Sequence, residues 1–166
     1  MKRSKLLKYV EDYIIEYKDT IFRLAYSYVK NPDDSLDIVQ ESIYKGISSI
    51  DSLKEPEHIK TWFYRIVVNT SIDFIRKRKR EVLVDEEFLL INDIGDKDDY
   101  TNVDLQRALD NLPDEYRIII ILRYFEDLKI KEIADILDQN INTVKTKLYT
   151  GLKKLKIDPN VASQED

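Results

Sequence analysis

A stretch near the C-terminus carries side chains suited to binding nucleic acid. From Ile141 to Lys156 the chain has five lysines and no acidic residue, whereas a solvated helix usually mixes both signs. Lysines can contact phosphates or guanine edges, and threonines can meet bases or thymine methyl groups. The candidate contact residues are Thr143, Lys145, Thr146, Lys147, Tyr149 and Lys153. This pattern favours DNA binding.

The residues around this stretch predict how it would be presented. Ala134 is small enough for two helices to approach closely, Asp138 tolerates the positive φ of a bend, and Asn140 can cap a second helix. Apolar residues then recur at helical spacing, at Val144, Leu148, Leu152 and Leu155. Residues 128–155 therefore predict a helix-turn-helix whose second helix enters a DNA major groove. A purely structural helical hairpin is the alternative.

The N-terminal half holds two further sets of polar residues. Asp37, Gln40 and Glu41 lie within about one turn of a predicted helix and project together. The opposite side of this helix is apolar, as the buried side of an amphipathic helix is, with Leu36, Val39, Ile43 and Ile47. A later helix carries cationic and amide side chains suited to phosphate contact, namely Lys60, Arg65, Asn69, Arg76, Lys77 and Arg80. An ordinary solvated face is the alternative for the acidic set.

Composition predicts an all-α protein without metal, cofactor or small-molecule ligand. The 166 residues include only three glycines and four prolines, and 43% are hydrophobic. The absence of cysteine excludes disulfides and thiolate metal sites. No apolar run approaches the roughly 18 residues of a membrane span, and no signal peptide is evident, so the cytoplasm is the expected location.

Charge along the chain divides it into segments. Residues 1–80 carry a net charge of +4, residues 81–104 carry −8, residues 105–157 carry +2 and residues 158–166 carry −3. We therefore predict two small helical domains, 1–80 and 105–157, joined by an acidic flexible linker, 81–104, and followed by a tail, 158–166. The basic blocks can contact nucleic acid although the whole chain has a net charge of −5.

Local signals place the helices within these domains. Residues 6–30 show a helical stripe, and Asn31 followed by Pro32 predicts the start of the next helix. A loop is expected from Asp51 to Glu57, followed by a long helix to Arg80. Residues 118–122, all isoleucine or leucine, could form a buried strand, but the preceding proline and the following helix-turn-helix favour a buried helix.

Four motifs in this order resemble the extracytoplasmic-function (ECF) sigma factors, bacterial RNA polymerase specificity subunits that keep only regions 2 and 4. They are Phe22-Arg23-Leu24-Ala25-Tyr26-Ser27-Tyr28, Asp37-Ile38-Val39-Gln40-Glu41-Ser42, Trp62-Phe63-Tyr64-Arg65-Ile66-Val67-Val68-Asn69, and Leu112-Pro113 with the helix-turn-helix that ends at Tyr149. The resemblance covers about residues 10–157. It departs from the family pattern at Lys147, where arginine is common, and at Asp138, where glycine is common.

The resemblance implies a role for each site and a set of partners. Asp37, Gln40 and Glu41 would dock on the β′ clamp helices of core RNA polymerase, and the second domain would meet the β flap. The helix near residues 58–80 and the loop before it would capture the −10 element of promoter DNA. Trp62 could serve there as a base-stacking platform, but its place in an apolar run favours a core position. The six residues of the recognition helix would read the −35 element. An anti-sigma factor, often membrane-bound in this family, is the implied regulator.

Two other functions compete with this interpretation. A stand-alone helix-turn-helix transcriptional regulator would not need the Asp37-Gln40-Glu41 face or the aromatic and basic helix that follows it. A DNA-processing enzyme fits less well, since the chain has one histidine, no cysteine and no phosphate-binding glycine loop. His58 is expected to be an exposed residue near a helix start. We therefore expect no catalysis by the chain itself.

Overall fold

The computed structural model describes residues 1–82 and 101–156. All regular structure in these two ranges is helical, which confirms the predicted all-α class. The α-helices are α1 Arg3–Glu16, α2 Lys18–Val29, α3 Pro32–Ser48, α4 Ile59–Val82, α5 Thr101–Asn111, α6 Asp114–Ile120, α7 Ile130–Leu137 and α8 Ile141–Lys154. Two 3-10 turns, Ile50–Ser52 and Pro56–His58, connect α3 to α4, and a π-helical turn, Ile121–Phe125, extends α6.

The chain divides into two compact units, Met1–Asp85 and Glu86–Asp166. Helix α4 runs through Val82 and α5 begins at Thr101, so both ends of the predicted 81–104 linker are helical. The bounds of the linker rest on acidic composition, which does not by itself prevent a helix. The rest of the predicted linker and the predicted tail lie outside the described residues.

The start of α3 follows the predicted capping pattern. The Asn31 side chain accepts a hydrogen bond from the Asp34 backbone N–H at 2.9 Å, and Pro32 occupies the first helical position. Asp33 and Asp34 then lie near the positive end of the helix dipole. The stripe predicted over residues 6–30 is interrupted, because α1 ends at Glu16 and Tyr17 (φ −106°, ψ 18°) leaves the helical conformation.

The core of unit 1 forms where α2, α3 and α4 pack together. Large apolar side chains from each helix are almost fully buried, including Ile21 and Leu24 from α2, Ile38 from α3 and Phe63 from α4. Gly46 allows the close approach of α3 and α4, since a Cβ there would lie 3.3 Å from the Phe63 ring. This packing fixes the faces that α3 and α4 leave exposed.

The buried side of α3 differs from the predicted one. It consists of Ser35, Ile38, Ser42 and Gly46, whereas Leu36 and Ile47 are 49% and 44% exposed. The two serines can be buried because their hydroxyls donate to backbone carbonyls of their own helix, Ser35 to Asn31 at 2.6 Å and Ser42 to Ile38 at 2.7 Å. Their small size then lets α3 lie close to its neighbours.

A second apolar cluster supports the N-terminal end of α4. It contains Leu6, Val10, Ile50, Leu53 and Ile59, with Trp62 packed against it. The Trp62 indole N–H donates to the Ser52 hydroxyl at 2.8 Å. The packing of Trp62 against this cluster agrees with its predicted core position. The hydrogen bond connects α4 to the 3-10 turn Ile50–Ser52.

Unit 2 is built around the apolar run of α6. Residues 118–122 are all buried in helical conformation, so the run is a buried helix, as predicted, and not a strand. Helix α8 packs on α6 at Gly151, where a Cβ would lie 2.9 Å from Ile120 Cδ1 and 3.1 Å from Tyr116 Cβ. The close contact between α6 and α8 therefore depends on glycine, which has no side chain, at position 151.

The helix-turn-helix has the predicted internal geometry. Asp138 adopts the left-handed conformation (φ 54°, ψ 48°) after α7, and Ala134 is buried. The Asn140 side chain accepts a hydrogen bond from the Asn142 backbone N–H at 2.8 Å and caps α8. Val144, Leu148 and Leu152 are buried and Leu155 is half-buried, which fixes the face of α8 that remains free.

Candidate nucleic-acid interface

Helix α8 leaves four of its six predicted contact residues on open surface. Thr143, Lys145, Thr146 and Lys153 are exposed, away from the buried Val144-Leu148-Leu152 stripe. The Thr146 hydroxyl donates to the Asn142 carbonyl at 2.9 Å, so it can still accept a hydrogen bond from a ligand. These residues give α8 a cationic outer face able to approach a duplex.

The other two predicted residues of α8 lie nearer the protein. Tyr149 is half-buried. The Lys147 side chain is 25% exposed, and its Nζ lies 3.7 Å from the Glu115 carboxylate of α6 and 3.4 Å from the Gln139 side-chain oxygen. Glu115 was not among the residues singled out from the sequence, because it lies far from Lys147 in the chain and no local pattern links them.

The end of α8 is also fixed against α6. The Lys154 ammonium lies 5.9 Å from the centre of the Tyr116 ring, within cation–π range. The charge of Glu115 is the main reason that the pKa of Tyr116 is raised above its ordinary value, with burial and a side-chain hydrogen bond to Glu115 adding to it. Tyr116 therefore stays a neutral phenol at physiological pH.

In unit 1, helices α3 and α4 form a groove lined by charges of both signs. Its lining includes Asp37 and Glu41 from α3 and Lys77 from α4, with Gln40 exposed nearby but not part of the lining. Lys45 also lines the groove, with its Nζ 3.4 Å from the Glu41 carboxylate and 3.2 Å from the Thr70 hydroxyl. Residues predicted for polymerase docking and for −10 binding thus line the same groove.

The remaining predicted residues of α4 are all exposed. Arg76 and Arg80 line a shallow depression, and Arg65 and Asn69 lie earlier on the helix. Lys60 precedes Arg65 by five residues, so it points about 140° away around a helix of 3.6 residues per turn. Its Nζ lies 5.7 Å from the centre of the buried Tyr64 ring. The structure therefore places Lys60 on a different side from Arg65.

One ion pair near the basic end of α4 was not predicted. Arg78 Nη1 lies 2.6 Å from Asp34 Oδ2, and the Arg78 guanidinium lies 5.3 Å from the centre of the Phe74 ring. Arg78 belongs to the run of five cationic residues from Arg76 to Arg80, and its guanidinium contacts a carboxylate of α3. The pair joins positions distant in sequence, which periodicity and charge counting cannot connect.

His58 is exposed near the start of α4, as expected. Its Nδ1 lies 3.3 Å from the Glu55 carboxylate, and Glu57 offers a third potential ligand atom, with all three atoms within 4.8 Å of one another. Because all three side chains are open to solvent, the proximity is an ordinary surface contact between a histidine and carboxylates.

Among the helices in ranges 1–82 and 101–156, none combines the length and apolar character needed to cross a bilayer.

Comparison with known proteins assigns both units. The Sigma-70 region 2 model matches residues 14–81, and the Sigma-70, region 4 model matches residues 102–155. The RNA polymerase sigma factor SigV of Bacillus subtilis is 54% identical over 144 residues, which cover 87% of each chain. The ECF RNA polymerase sigma factor SigW of the same organism is 32% identical over 160 residues, covering 87% of this chain and 86% of SigW.

Solved structures show the same fold. The sigma factor RpoE, in complex with the anti-sigma factor NepR from Bartonella quintana, has a TM-score of 0.71 at 21% identity over 88% of this chain and 93% of RpoE. CnrH, in complex with the cytosolic domain of CnrY, has a TM-score of 0.67 at 18% identity over 93% of this chain and 92% of CnrH. On the sequence matches, this chain belongs to the sigma-70 family of RNA polymerase sigma factors, in its extracytoplasmic-function group.

Proposed function

We propose that this chain is an alternative sigma factor that directs bacterial core RNA polymerase to stress-type promoters and performs no catalysis of its own. The observation that carries the proposal is the presence of region 2 and region 4 on the two units of one chain, with 54% identity to SigV across most of its length. A helix-turn-helix alone would serve a regulator equally well. Such a regulator does not require region 2, so the presence of region 2 favours a sigma factor.

Unit 2 reads the −35 element as a duplex in this proposal. Helix α8 enters the major groove with Thr143, Lys145 and Thr146 directed at bases and Lys153 at the backbone. The exposure of these side chains and the absence of acids from Ile141 to Lys156 support this assignment. Lys147 and Tyr149 contact DNA from the flanks of the helix, and unit 2 also meets the β flap of polymerase.

Unit 1 captures the −10 element as single-stranded DNA. Unstacking a base costs a few kcal/mol, which positive charge and stacking surfaces on the protein offset. Arg65, Asn69, Arg76, Lys77 and Arg80 provide that surface along α4, and Lys60 lies beside the preceding loop. Support comes from the exposure of all these side chains in the described structure.

Asp37, Gln40 and Glu41 dock unit 1 on the β′ clamp helices of core polymerase. Their acceptor groups project from α3 into solvent and can pair with basic residues of the partner by charge-assisted hydrogen bonds. An anti-sigma factor holds the protein inactive in the cytoplasm or, if membrane-bound, at the membrane. RpoE and CnrH, each solved with an anti-sigma factor or part of CnrY, support such a partner.

The docking face is tested by reversing its charge. The double variant Asp37→Lys/Glu41→Lys is expected to lower affinity for purified core polymerase at least tenfold, an effect of about 1.4 kcal/mol, while circular dichroism stays unchanged because both side chains are exposed.

The matched control is Glu11→Lys/Glu16→Lys, which makes the same charge change on exposed positions of α1. This control should bind polymerase as the wild type does. Equal affinity of the Asp37/Glu41 variant and the wild type would show that the docking face lies elsewhere.

A further inference from the structure

The ion pair between Asp34 and Arg78 connects the two helices that carry the proposed functions of unit 1. Asp34 lies in the first turn of α3, and Arg78 lies near the end of α4. Arg78 Nη1 approaches Asp34 Oδ2 to 2.6 Å, and the Asp34 side chain is only 15% exposed. The Arg78 side chain is 52% exposed, and Asp34 Oδ2 accepts no hydrogen bond in the described structure, so the contact is an electrostatic pair. The partial burial of Asp34 reduces the screening of this attraction by solvent.

Both partners are held from a second direction. The Arg78 guanidinium lies 5.3 Å from the centre of the Phe74 ring, one turn earlier on α4. The Asp34 backbone N–H donates to the Asn31 side chain at 2.9 Å, which fixes the first turn of α3. The arginine therefore loses little additional freedom when it pairs.

The end of α4 needs such an attachment. The described side chains from Arg76 to Glu81 are all exposed, so no burial of apolar surface holds these turns. A helix end without tertiary packing frays. Arg76 and Arg80, both assigned above to DNA contact, lie in this exposed segment.

We propose that Asp34 and Arg78 form a positioning pair, which keeps the end of α4 helical so that Arg76 and Arg80 present a fixed cationic face to single-stranded DNA. This inference rests on the proposed −10 function of unit 1. In this proposal Asp34 favours DNA binding, although it is acidic. If Arg78 instead contacted phosphate directly, Asp34 would compete with DNA and its removal would strengthen binding.

The first test is amide hydrogen exchange of the free, full-length chain. In Asp34→Asn and in Arg78→Gln, the amides of residues 79–82 are expected to exchange about fivefold faster than in the wild type. The double variant should be no faster than either single variant, because both remove the same interaction. Unchanged exchange in both single variants would overturn the proposal, whatever the chain does with polymerase.

The second test measures binding of the full-length chain to a fluorescein-labelled, mixed-sequence single-stranded 12-mer at low ionic strength. Asp34→Asn is expected to weaken binding about threefold, although it removes a negative charge. Arg78→Gln is measured in the same way. Its control is Lys18→Gln, which also removes one positive charge from exposed surface of unit 1 and should change the binding affinity less than Arg78→Gln does. Tighter or equal binding by Asp34→Asn would contradict a positioning role.

The two proposals fail in distinguishable ways. A wild-type chain that supports no promoter-dependent transcription would refute the sigma role, and the exchange and oligonucleotide measurements would still decide whether the pair positions α4. Conversely, transcription by the wild type together with unchanged exchange in Asp34→Asn would leave the sigma role intact and remove the positioning pair.

Discussion

The ammonium group of Lys147 has oxygen partners within the protein before any DNA arrives. Glu115 lies at 3.7 Å and Gln139 at 3.4 Å, and the lysine side chain is only 25% exposed. A phosphate must compete with the Glu115 carboxylate for this cation. We therefore expect Lys147 to contribute less to duplex affinity than the exposed Lys145.

We predict that Glu115→Gln raises affinity for double-stranded DNA. Removing the competing charge should strengthen binding about twofold, in line with roughly 0.5 kcal/mol for an exposed ion pair, and the gain should shrink as salt rises. Fluorescence anisotropy with a duplex oligonucleotide over a range of KCl concentrations measures this. Asp135→Asn removes an exposed acid of α7 as a control, and an equal gain in that variant would show that only net charge matters.

Asp138 determines the bend of the helix-turn-helix through its backbone. Its φ of 54° is unfavourable for a β-branched residue. Asp138→Val should therefore lower the unfolding free energy of unit 2 by about 1–2 kcal/mol, whereas Asp138→Gly should remain close to the wild type. Thermal denaturation followed by circular dichroism compares the two variants. Equal melting temperatures would show that the bend does not require this conformation.

At the scale of elements, the contact between α6 and α8 orients the recognition helix. Gly151 leaves little space for a side chain, since a Cβ would lie 3.1 Å from Tyr116 Cβ, which is attached directly to the α6 backbone, and 2.9 Å from the movable Ile120 Cδ1. In Gly151→Ala, overpacking should cost about 1–3 kcal/mol, which exceeds the gain of about 1 kcal/mol from a better helix former.

The variant Gly151→Ala should therefore melt at a lower temperature in calorimetry and bind duplex DNA more weakly, because α8 is displaced. Thr150→Ala, at the neighbouring position, serves as the control for helix propensity alone. A higher melting temperature in Gly151→Ala would show that the interface can relax around a methyl group.

The ends and bends of helices were predicted best from the sequence where the residue that determines them acts locally. Asn31, Asn140 and Asp138 act through their own or adjacent backbone groups, and each has the predicted conformation or hydrogen bond. The buried face of α3 was missed because Ser35 and Ser42 satisfy their hydroxyls within the helix, which periodicity of apolar residues cannot show.

Most residues of the candidate site are exposed, as the sequence predicts, but Lys147 and Tyr149 are half-buried, and the contacts within the site were not predictable. The Asp34–Arg78 pair and the Glu115–Lys147 pair each join distant parts of the chain. Such pairs form only after helices pack, so no window along the sequence contains both members. These tertiary contacts decide which cations remain free for DNA.

At the scale of the whole molecule, a net charge of −5 coexists with cationic faces on α4 and α8. Local charge governs contact with DNA, so an acidic chain can bind it when the acids lie elsewhere. Each unit matches only one of the two sigma-70 regions, region 2 in unit 1 and region 4 in unit 2. Joined in one chain, they allow a single polymerase subunit to engage two promoter elements.

Run-off transcription shows whether the chain acts as a polymerase subunit at promoters. Purified bacterial core RNA polymerase is combined with the full-length chain and a library of genomic promoter fragments, and transcripts are mapped to their start sites. We predict transcripts that begin at defined positions, require the chain and share sequence elements upstream. Transcripts identical to those of core polymerase alone, together with sequence-specific binding of the free chain to duplex DNA, would contradict the sigma role and favour a stand-alone regulator.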